Sequence, residues 1–177
     1  MTELPLTITH ESPSASDAIE KLHRRTFGPG RFARTAFRLR EQAPHDLKLS
    51  FTAYVGTMMV GSVRLTPIAI GNTPALLLGP LTVEPPFRTV GIGGRLMTVS
   101  MDAARAAGHK LVLLVGDEPY YRRFGFKPVP HGSVQMPGPV DPARLLVAEL
   151  EPGAFQGVSG PARGVAPAGA DQTSAAR

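Results

Sequence analysis

The sequence predicts a single domain of the α/β class. Apolar segments of strand length alternate with amphipathic helical segments along most of the 177 residues. Gly56-Thr57 separates two of the strand segments in the manner of a tight β-hairpin turn. Hydrophobic residues make up 42% of the chain and charged residues 19%, a composition typical of a globular protein that buries its own core.

The first forty residues predict one strand and two helices. Leu4 to Thr9 alternates apolar and polar residues, and Pro5 favours an edge position because it cannot donate a hydrogen bond to a neighbouring strand. Ser16 or Asp17 can cap a helix that runs through about Phe27 and should be broken by Gly28-Pro29-Gly30. Arg31 to Arg40 predicts a second, strongly basic helix.

Three strands and a long helix are expected in the middle of the chain. The strands are Leu47–Val55, Met58–Ile70, and a third from Pro74 or Ala75 to Val83. Apolar residues between Arg88 and Ala107 then repeat at helical spacing, and Gly108 follows as a typical helix stop.

The remainder of the domain predicts two strands around a short helix. His109 to Val115 is apolar without alternation, which indicates a strand buried on both faces. Asp117 can cap a short helix that ends near Gly125, and Leu145 to Leu150 predicts the last strand. Residues 157–177 contain no aromatic side chain and bury little apolar surface, so we expect a domain over residues 1–156 and a disordered tail beyond it.

Composition excludes several kinds of site. The chain has no cysteine, which rules out disulfides, thiol nucleophiles and thiolate metal ligands. Its five histidines are scattered without ligand spacing, so no metal site is expected. Neither a signal-like N-terminus nor an apolar run near the roughly 20 residues of a bilayer span is present, which predicts a cytoplasmic protein without a membrane partner.

A glycine-rich turn before the long helix is the first functional signal. Glycines there let main-chain amides approach a ligand, and the first amides of a helix have no intrahelical acceptor and carry partial positive charge. This predicts an anion site, most naturally for phosphate, although the same glycines could serve only tight packing. The phosphate-binding loop of nucleotide hydrolases is excluded because Arg95-Leu96 follows Gly94, and Leu96 also breaks the dinucleotide fingerprint.

The strand before that turn is interrupted by Gly79-Pro80. Proline is disfavoured in a central strand except at a bulge, and a bulge here would bend the strand away from a neighbour and open a slot in the sheet. The amide of Leu81 could then face a ligand carbonyl. An edge strand, where proline does no harm, is the alternative.

A tyrosine pair provides the third signal. The short helix predicted after Asp117 contains Tyr120 and Tyr121, which a helix would direct about 100° apart. A tyrosine in such a position is often a packed aromatic, but it can also act as a proton donor.

Taken together, the segment from Leu77 to Phe126 resembles the acetyl-CoA-binding half of GNAT-type N-acetyltransferases, most closely their YhbS-like bacterial branch. Residues 88–93 (RTVGIG) match the superfamily's Q/R-x-x-G-x-G/A pyrophosphate motif, and residues 121–126 (YRRFGF) match its Y-x-x-x-G-F ending. The resemblance implies a GNAT-like fold, with a mixed, mostly antiparallel central sheet of six to seven strands between flanking helices. It also implies that the central strand is splayed near Gly79-Pro80.

The resemblance also implies roles for individual residues. Main-chain amides of the turn and helix start would hold the CoA pyrophosphate; this set is Arg88, Thr89, Val90, Gly91, Ile92, Gly93 and Gly94. Leu81, Thr82 and Val83 would pair with the pantetheine arm, and the Leu81 amide would polarise the thioester carbonyl. Tyr121 would protonate the leaving thiolate, with Tyr120 as the competing candidate.

No general base is assigned. The strand from Ala75 to Val83 contains no carboxylate, and Glu84 lies beyond its end. Other side chains that could accept a proton, none with a motif behind it, are His23, Glu41, His45 and Asp46.

The preferred function is acetyl transfer from acetyl-CoA to an amine by direct attack on the thioester. The alternatives are a non-catalytic acyl-CoA-binding or sensing module, and a nucleic-acid-binding protein that uses the basic segment 21–40. Tyr121 and Leu81 stand at the positions that the resemblance requires, which argues against a non-catalytic binding module. The basic segment is weak evidence for nucleic-acid binding, because a charged helix is usually only exposed to solvent. The same arginine cluster raises the hypothesis of an anionic acceptor, and an edge strand could support a homodimer.

Overall fold

The structure, a computed structural model, describes residues 5–27 and 34–165. Within these residues it contains a sheet of nine strands and four α-helices. The strands are β1 (Leu6–His10), β2 (Phe51–Val55), β3 (Met58–Ile70), β4 (Thr73–Val83), β5 (Leu111–Val115), β6 (Lys127–Pro128), β7 (Val134–Gln135), β8 (Leu145–Glu149) and β9 (Gly160–Gly164). The helices are α1 (Ser16–Phe27), α2 (Thr35–Gln42), α3 (Ile92–Ala106) and α4 (Glu118–Tyr121).

The sheet is mixed and mostly antiparallel. Its main path runs β1-β2-β3-β4-β5-β8-β6, in which β4 and β5 form a parallel pair. β9 lies antiparallel beside β3 and pairs in parallel with β7. The seven strands of the main path and the helices on both sides confirm the predicted fold class.

Helices cover both faces of the sheet. α3 buries Ile92 and Leu96 on one face, and α2 buries Leu39 on the other. The close approach of α3 depends on Gly61 of β3, because a Cβ there would lie 3.0 Å from Leu96 Cδ1 and 3.2 Å from the carbonyl oxygen of Thr82. α1 packs against β3 and β4, next to α2 in the chain.

The predicted start of the second strand is wrong. β2 begins at Phe51 rather than Leu47, because the Ser50 hydroxyl donates to the carbonyl oxygen of Asp46 at 2.7 Å and accepts from the Leu65 amide at 3.1 Å, which closes a turn instead. Arg88 lies in a 3₁₀ turn over Pro85–Val90, and α3 follows from Ile92, where the helical spacing in the sequence begins.

Two predictions near the N-terminal helices fall partly outside the described residues. These are the break at Gly28-Pro29-Gly30 and the start of the second helix at residues 31–33. The described part of that helix is α2, which begins at Thr35 and continues two residues past Arg40.

The prediction that disorder begins at residue 157 is wrong for residues 157–165. β9 pairs with the end of β3, and the amide of Gly71 donates to the carbonyl oxygen of Pro161 at 2.9 Å. β3 extends well beyond its pairing with β2, which leaves main-chain groups of Ile68–Ile70 for β9. Main-chain pairing of this kind is independent of apolar composition, so composition did not reveal it. Residues 166–177 lie outside the described part.

Candidate active site

The central feature of the site is a separation between β4 and β5. The two strands pair only at Leu76 and Leu77. Beyond them, Leu78 stands opposite Leu65 and Leu81 opposite Val63, so that Gly79-Pro80 faces a single residue of β3. This is the β-bulge predicted from the sequence, and it bends β4 away from β5.

Main-chain groups of β4 face the slot that this separation opens. The amide of Glu84 donates to the carbonyl oxygen of Val60 at 2.8 Å, which directs that residue toward β3. Because main-chain groups alternate in direction along a strand, Thr82 also faces β3, whereas Leu81 and Val83 face the slot. The Val83 carbonyl oxygen already accepts a hydrogen bond from Arg88 Nε at 3.1 Å.

The N-terminus of α3 lies next to β4 and carries free amides. No side chain caps the helix, and its first main-chain bond runs from the Arg95 amide to the carbonyl oxygen of Gly91 at 3.1 Å. The amides of Ile92, Gly93 and Gly94 therefore have no intrahelical acceptor. Gly91 has a φ of +81°, a left-handed conformation that favours glycine, and it turns the chain into the helix.

The side chains of the glycine-rich turn divide into exposed and buried groups. Arg88, Thr89 and Val90 are exposed, with Val90 at 51%. Ile92 is only 1% exposed and belongs to the core under α3. Any contact that Ile92 makes with a ligand would thus be through its main chain.

The two tyrosines face different parts of the site. Tyr121 lines a cavity of about 690 Å³ that also includes the bulge and Leu81. The Tyr120 hydroxyl points instead toward α3, where a Cβ on Gly93 would come within 2.9 Å of it. The rings meet edge to face at 4.8 Å between centroids. The structure therefore brings Tyr121, and not Tyr120, to the cavity beside Leu81.

Tyr121 is held in its protonated form. Burial raises its pKa to about 12, and the neighbouring Tyr120 and Asp117 act in the same direction. Its ring lies so close to Gly116, just after β5, that a Cβ at this glycine would overlap the ring. A phenol in this position remains able to donate a proton at neutral pH.

The cavity lies on the side of the sheet covered by α1 and α2. Its wall consists of parts of both helices, the bulge, the end of β5, Tyr121 and the segment 139–144. Three of the proton acceptors considered from the sequence, His23, Glu41 and His45, line it. Asp46 and Glu84 lie outside its wall, and Glu84 instead forms an ion pair with Arg25.

A buried ion cluster supports the cavity at β3. Glu11 is 4% exposed and accepts hydrogen bonds from Arg64 Nε at 2.9 Å and His45 Nε2 at 2.6 Å. Burial alone would raise the pKa of Glu11, but the bonds from His45 and Arg64 outweigh it and hold the pKa below its usual value. Arg64 is the residue that faces the Gly79-Pro80 bulge, so the cluster fixes the cavity wall at the point where β4 bends.

The described arginines of the basic segment, in residues 21–27 and 34–40, point in several directions and do not form one continuous charged surface. Arg25 pairs with Glu84, and Arg38 donates to the carbonyl oxygen of Pro137 at 2.9 Å. Arg34 and Arg40 line the cavity instead. Much of the charge concentrated in the sequence is therefore directed toward other parts of the protein.

Several residues of the site were not predicted from the sequence. Gly116 admits the Tyr121 ring, Arg64 and Glu11 form the cluster, and Arg40 lies beside the bulge. Gly116 had a weak signal as the glycine directly after a buried strand. The others are ordinary charged residues with no motif, and they come together only through contacts distant in sequence.

Known proteins are similar to this chain in both sequence and fold. A family model described as an acetyltransferase (GNAT) domain matches residues 47–128. The uncharacterised N-acetyltransferase YjhQ of Escherichia coli (strain K12) is 32% identical over 125 residues, covering 68% of each chain. The chain belongs to the GNAT acetyltransferase family. The expected acyltransferase class is thus confirmed.

Two further GNAT acetyltransferases are similar to this chain over most of its length. The uncharacterised E. coli N-acetyltransferase YhbS is 28% identical over 157 residues, covering 88% of this chain and 93% of YhbS. The crystal structure of YhbS in complex with CoA superposes with a TM-score of 0.77 over 93% of this chain and 92% of that one. A Brucella melitensis GNAT acetyltransferase in complex with acetyl-CoA has 27% identity and a TM-score of 0.59, covering 81% and 96%.

The described residues contain neither a membrane-spanning helix nor a cluster of metal ligands. No helix among residues 5–27 and 34–165 has the length and apolar character needed to cross a membrane. The same part of the chain contains no group of three or more histidine, aspartate or glutamate side chains placed to hold a metal ion.

Proposed function

We propose that this protein transfers the acetyl group of acetyl-CoA to an amine by direct attack of the amine on the thioester. The observation that carries the proposal is the meeting of Leu81 and Tyr121 on one cavity, where β4 and β5 separate. The related E. coli and Brucella proteins bind CoA and acetyl-CoA, which supports the same donor here.

The slot and the start of α3 fit an acyl-CoA. The free amides at Ile92, Gly93 and Gly94 suit the pyrophosphate, because helix N-termini favour anions. The slot-facing main chain of Leu81 and Val83 suits the amides of the pantetheine arm, which need hydrogen-bond partners along an extended path. Arg88, Thr89 and Val90 would line the exposed turn, and Thr82 would support the strand from β3.

Two steps of the transfer, stabilisation of the oxyanion and protonation of the leaving sulfur, each have a residue suited to them. The amine nitrogen bonds to the thioester carbonyl carbon, and the Leu81 amide stabilises the negative charge that develops on the carbonyl oxygen. The carbon–sulfur bond then breaks, and Tyr121 donates its proton to the sulfur. The amine loses one proton to the solvent, and the Tyr121 phenolate regains one from the solvent, so the protons balance. The products are an acetylated amine and free CoA thiol.

A binding experiment tests the donor site directly. We expect acetyl-CoA at about 100 times its Kd to stabilise the protein by roughly 2.7 kcal/mol, measured as a rise in melting temperature. Gly94→Asp should weaken binding by about 10- to 100-fold, because its carboxylate lies beside the proposed pyrophosphate site. The change should be tolerated, since a Cβ at Gly94 meets only the Phe124 ring, at 3.8 Å.

Gly94→Asn is the matched control, because it has nearly the same shape without the charge. It should retain most of the acetyl-CoA affinity. Equal losses in both variants would mean that the charge at this helix start does not matter and would contradict the proposed pyrophosphate site. Release of CoA thiol across a panel of amines then tests the transfer itself.

A further inference from the structure

One charged side chain on the cavity wall, Arg40, has no partner among the residues that the structure describes. Arg40 lines the cavity, and its Nε is buried without a hydrogen-bond partner. Among the residues that the structure describes, none forms a hydrogen bond or an ion pair with its guanidinium group. Arg40 as a whole is half-buried, and a charged group that is partly shielded from water without a partner favours a bound counter-ion.

Several other ionic groups on the cavity wall are already engaged. Arg64 pairs with Glu11 at 2.9 Å and lies 3.9 Å from Glu20, and Arg144 pairs with Asp117. Asp141 accepts a hydrogen bond from the Ala143 amide at 2.9 Å. Glu41, on the next position of α2, is exposed.

The surroundings of Arg40 are electropositive. Burial lowers its pKa to about 10, and repulsion from Arg34 and Arg64 acts in the same direction. Arg34 itself lies over the Phe27 ring at 4.9 Å. The guanidinium is therefore charged at neutral pH, and Arg34 and Arg64 add positive potential at its position, which favours a bound anion.

Arg40 is also next to the point where transfer would occur. A Cβ on Gly79 would lie 2.6 Å from Arg40 Nη2, so this glycine gives the guanidinium access to the bulge. Gly79 precedes Leu81, the proposed oxyanion donor, by two residues. An acceptor that attacks the thioester could thus bind Arg40 through an anionic group only a few bonds from its own amine.

We propose that Arg40 binds a carboxylate of the acceptor, and that the acceptor is a small amine with its carboxylate close to the amino group. This inference rests on the proposed acetyl transfer. The planar guanidinium fork matches a carboxylate through two parallel hydrogen bonds. The cavity volume of about 690 Å³ suits a small molecule. Polycationic amines are disfavoured because they would meet Arg40 and Arg34.

Matched substrate pairs test the inference in the wild-type protein. Each L-amino acid is compared with its carboxamide as acceptor, with acetyl-CoA as donor and thiol release as the readout. For at least one pair we expect the acid to have a kcat/KM at least about 30-fold higher than the amide, as for a buried charge pair. Amides that react as well as acids in every pair would overturn the proposal.

Variants locate the selectivity at Arg40. Arg40→Met should lower kcat/KM for the preferred acid by about 100-fold and leave the amide within about threefold. Arg40→Lys should recover part of the acid activity, because it restores the charge but not the fork. Arg24→Met removes an exposed arginine of α1 and is the matched control, with no expected change in the acid-to-amide ratio. Unchanged selectivity in Arg40→Met would overturn the assignment.

Two further outcomes are informative. Phosphoethanolamine and ethanolamine form a phosphate pair; a preference for phosphoethanolamine over every amino acid would overturn the carboxylate assignment. If no amine supports thiol release while acetyl-CoA still raises the melting temperature, the proposed transfer fails. In that event, amino acids added to the CoA-saturated protein should still raise the melting temperature more than their amides, and equal shifts would overturn the role of Arg40.

Discussion

The two sides of the active site are built in different ways. On the side of α3, the proposed donor site consists of main-chain amides at Ile92–Gly94 and the slot-facing main chain of β4. On the side of α1 and α2, the cavity is lined by charged and aromatic side chains. Among the described residues, some of the charged ones have an ion-pair partner and others do not. A site made of main-chain groups needs glycines at given positions, so it can be recognised as a motif in the sequence. A site made of side chains has no such motif. Family membership therefore identifies the reaction class more readily than the acceptor.

The largest expected effect comes from the residue that joins the two sides. Tyr121→Phe should lower kcat by about 100-fold or more, because it removes the proposed acid, while the Kd for acetyl-CoA stays within about threefold. Tyr120→Phe is the matched control, and it should retain most of the activity because its hydroxyl faces α3.

The pH dependence adds a second readout for Tyr121. Its pKa of about 12 means that the phenol is protonated below that pH, so no loss of kcat from its ionisation should occur up to about pH 11. A decline of kcat near pH 10 that disappears in Tyr121→Phe would contradict the raised pKa. Equal losses in the two phenylalanine variants would contradict the distinction between the tyrosines.

The largest effect on stability is expected at the part of the cavity wall where Arg64 is paired with Glu11. Glu11→Gln leaves the charge of Arg64 buried without its partner, and it should lower the free energy of unfolding by about 3–5 kcal/mol. Urea denaturation at pH 7 measures this loss. Glu20→Gln is the control, since the Glu20 side chain is 47% exposed and lies farther from Arg64, at 3.9 Å.

The Glu11 contribution should also depend on pH in a defined direction. Because the pKa of Glu11 is lowered in the folded protein, its stabilisation is fully present above the unfolded value of 4.5 and is lost as the pH falls below it. The stability difference between wild type and Glu11→Gln should therefore shrink below pH 4.5. A difference that stays constant as the pH falls would mean that ionisation of Glu11 contributes little.

The smallest effect has the opposite sign and concerns the unsatisfied part of the wall. Arg40→Met replaces a half-buried guanidinium, which has no partner among the described residues, with an apolar side chain of similar length, so it should raise the free energy of unfolding by about 1–2 kcal/mol. The melting temperature of the ligand-free protein should rise by roughly 2–8 °C. Arg24→Met, on the exposed surface of α1, should change it little.

The sign of this change separates two interpretations of Arg40. A residue that serves only the structure would destabilise the protein when it is replaced. A residue retained for ligand binding can be replaced with a gain in stability and a loss of function. A fall in melting temperature in Arg40→Met would indicate a structural role and weaken the contrast with Arg64.

Much of the fold and of the donor side could be predicted from local sequence. Helical spacing from Ile92 onward, the apolar strand ending at Val115 and the glycine-rich turn depend on residues close together in the chain. The bulge at Gly79-Pro80 could be predicted for the same reason, since proline cannot donate a hydrogen bond wherever its strand lies. The different directions of Tyr120 and Tyr121 follow from the helical turn between them.

Only the tertiary structure determined the acceptor side. Glu11 reaches His45 and Arg64 across separations of 34 and 53 residues, so no local pattern marks the cluster. β9 is held by main-chain pairing to the free edge of β3, which composition does not encode. Arg40 differs from the other arginines of α1 and α2 because it is half-buried at the cavity wall and has no counter-charge among the described residues. Both properties belong to the packed protein, and they arise only when α2 lies over the Gly79-Pro80 bulge.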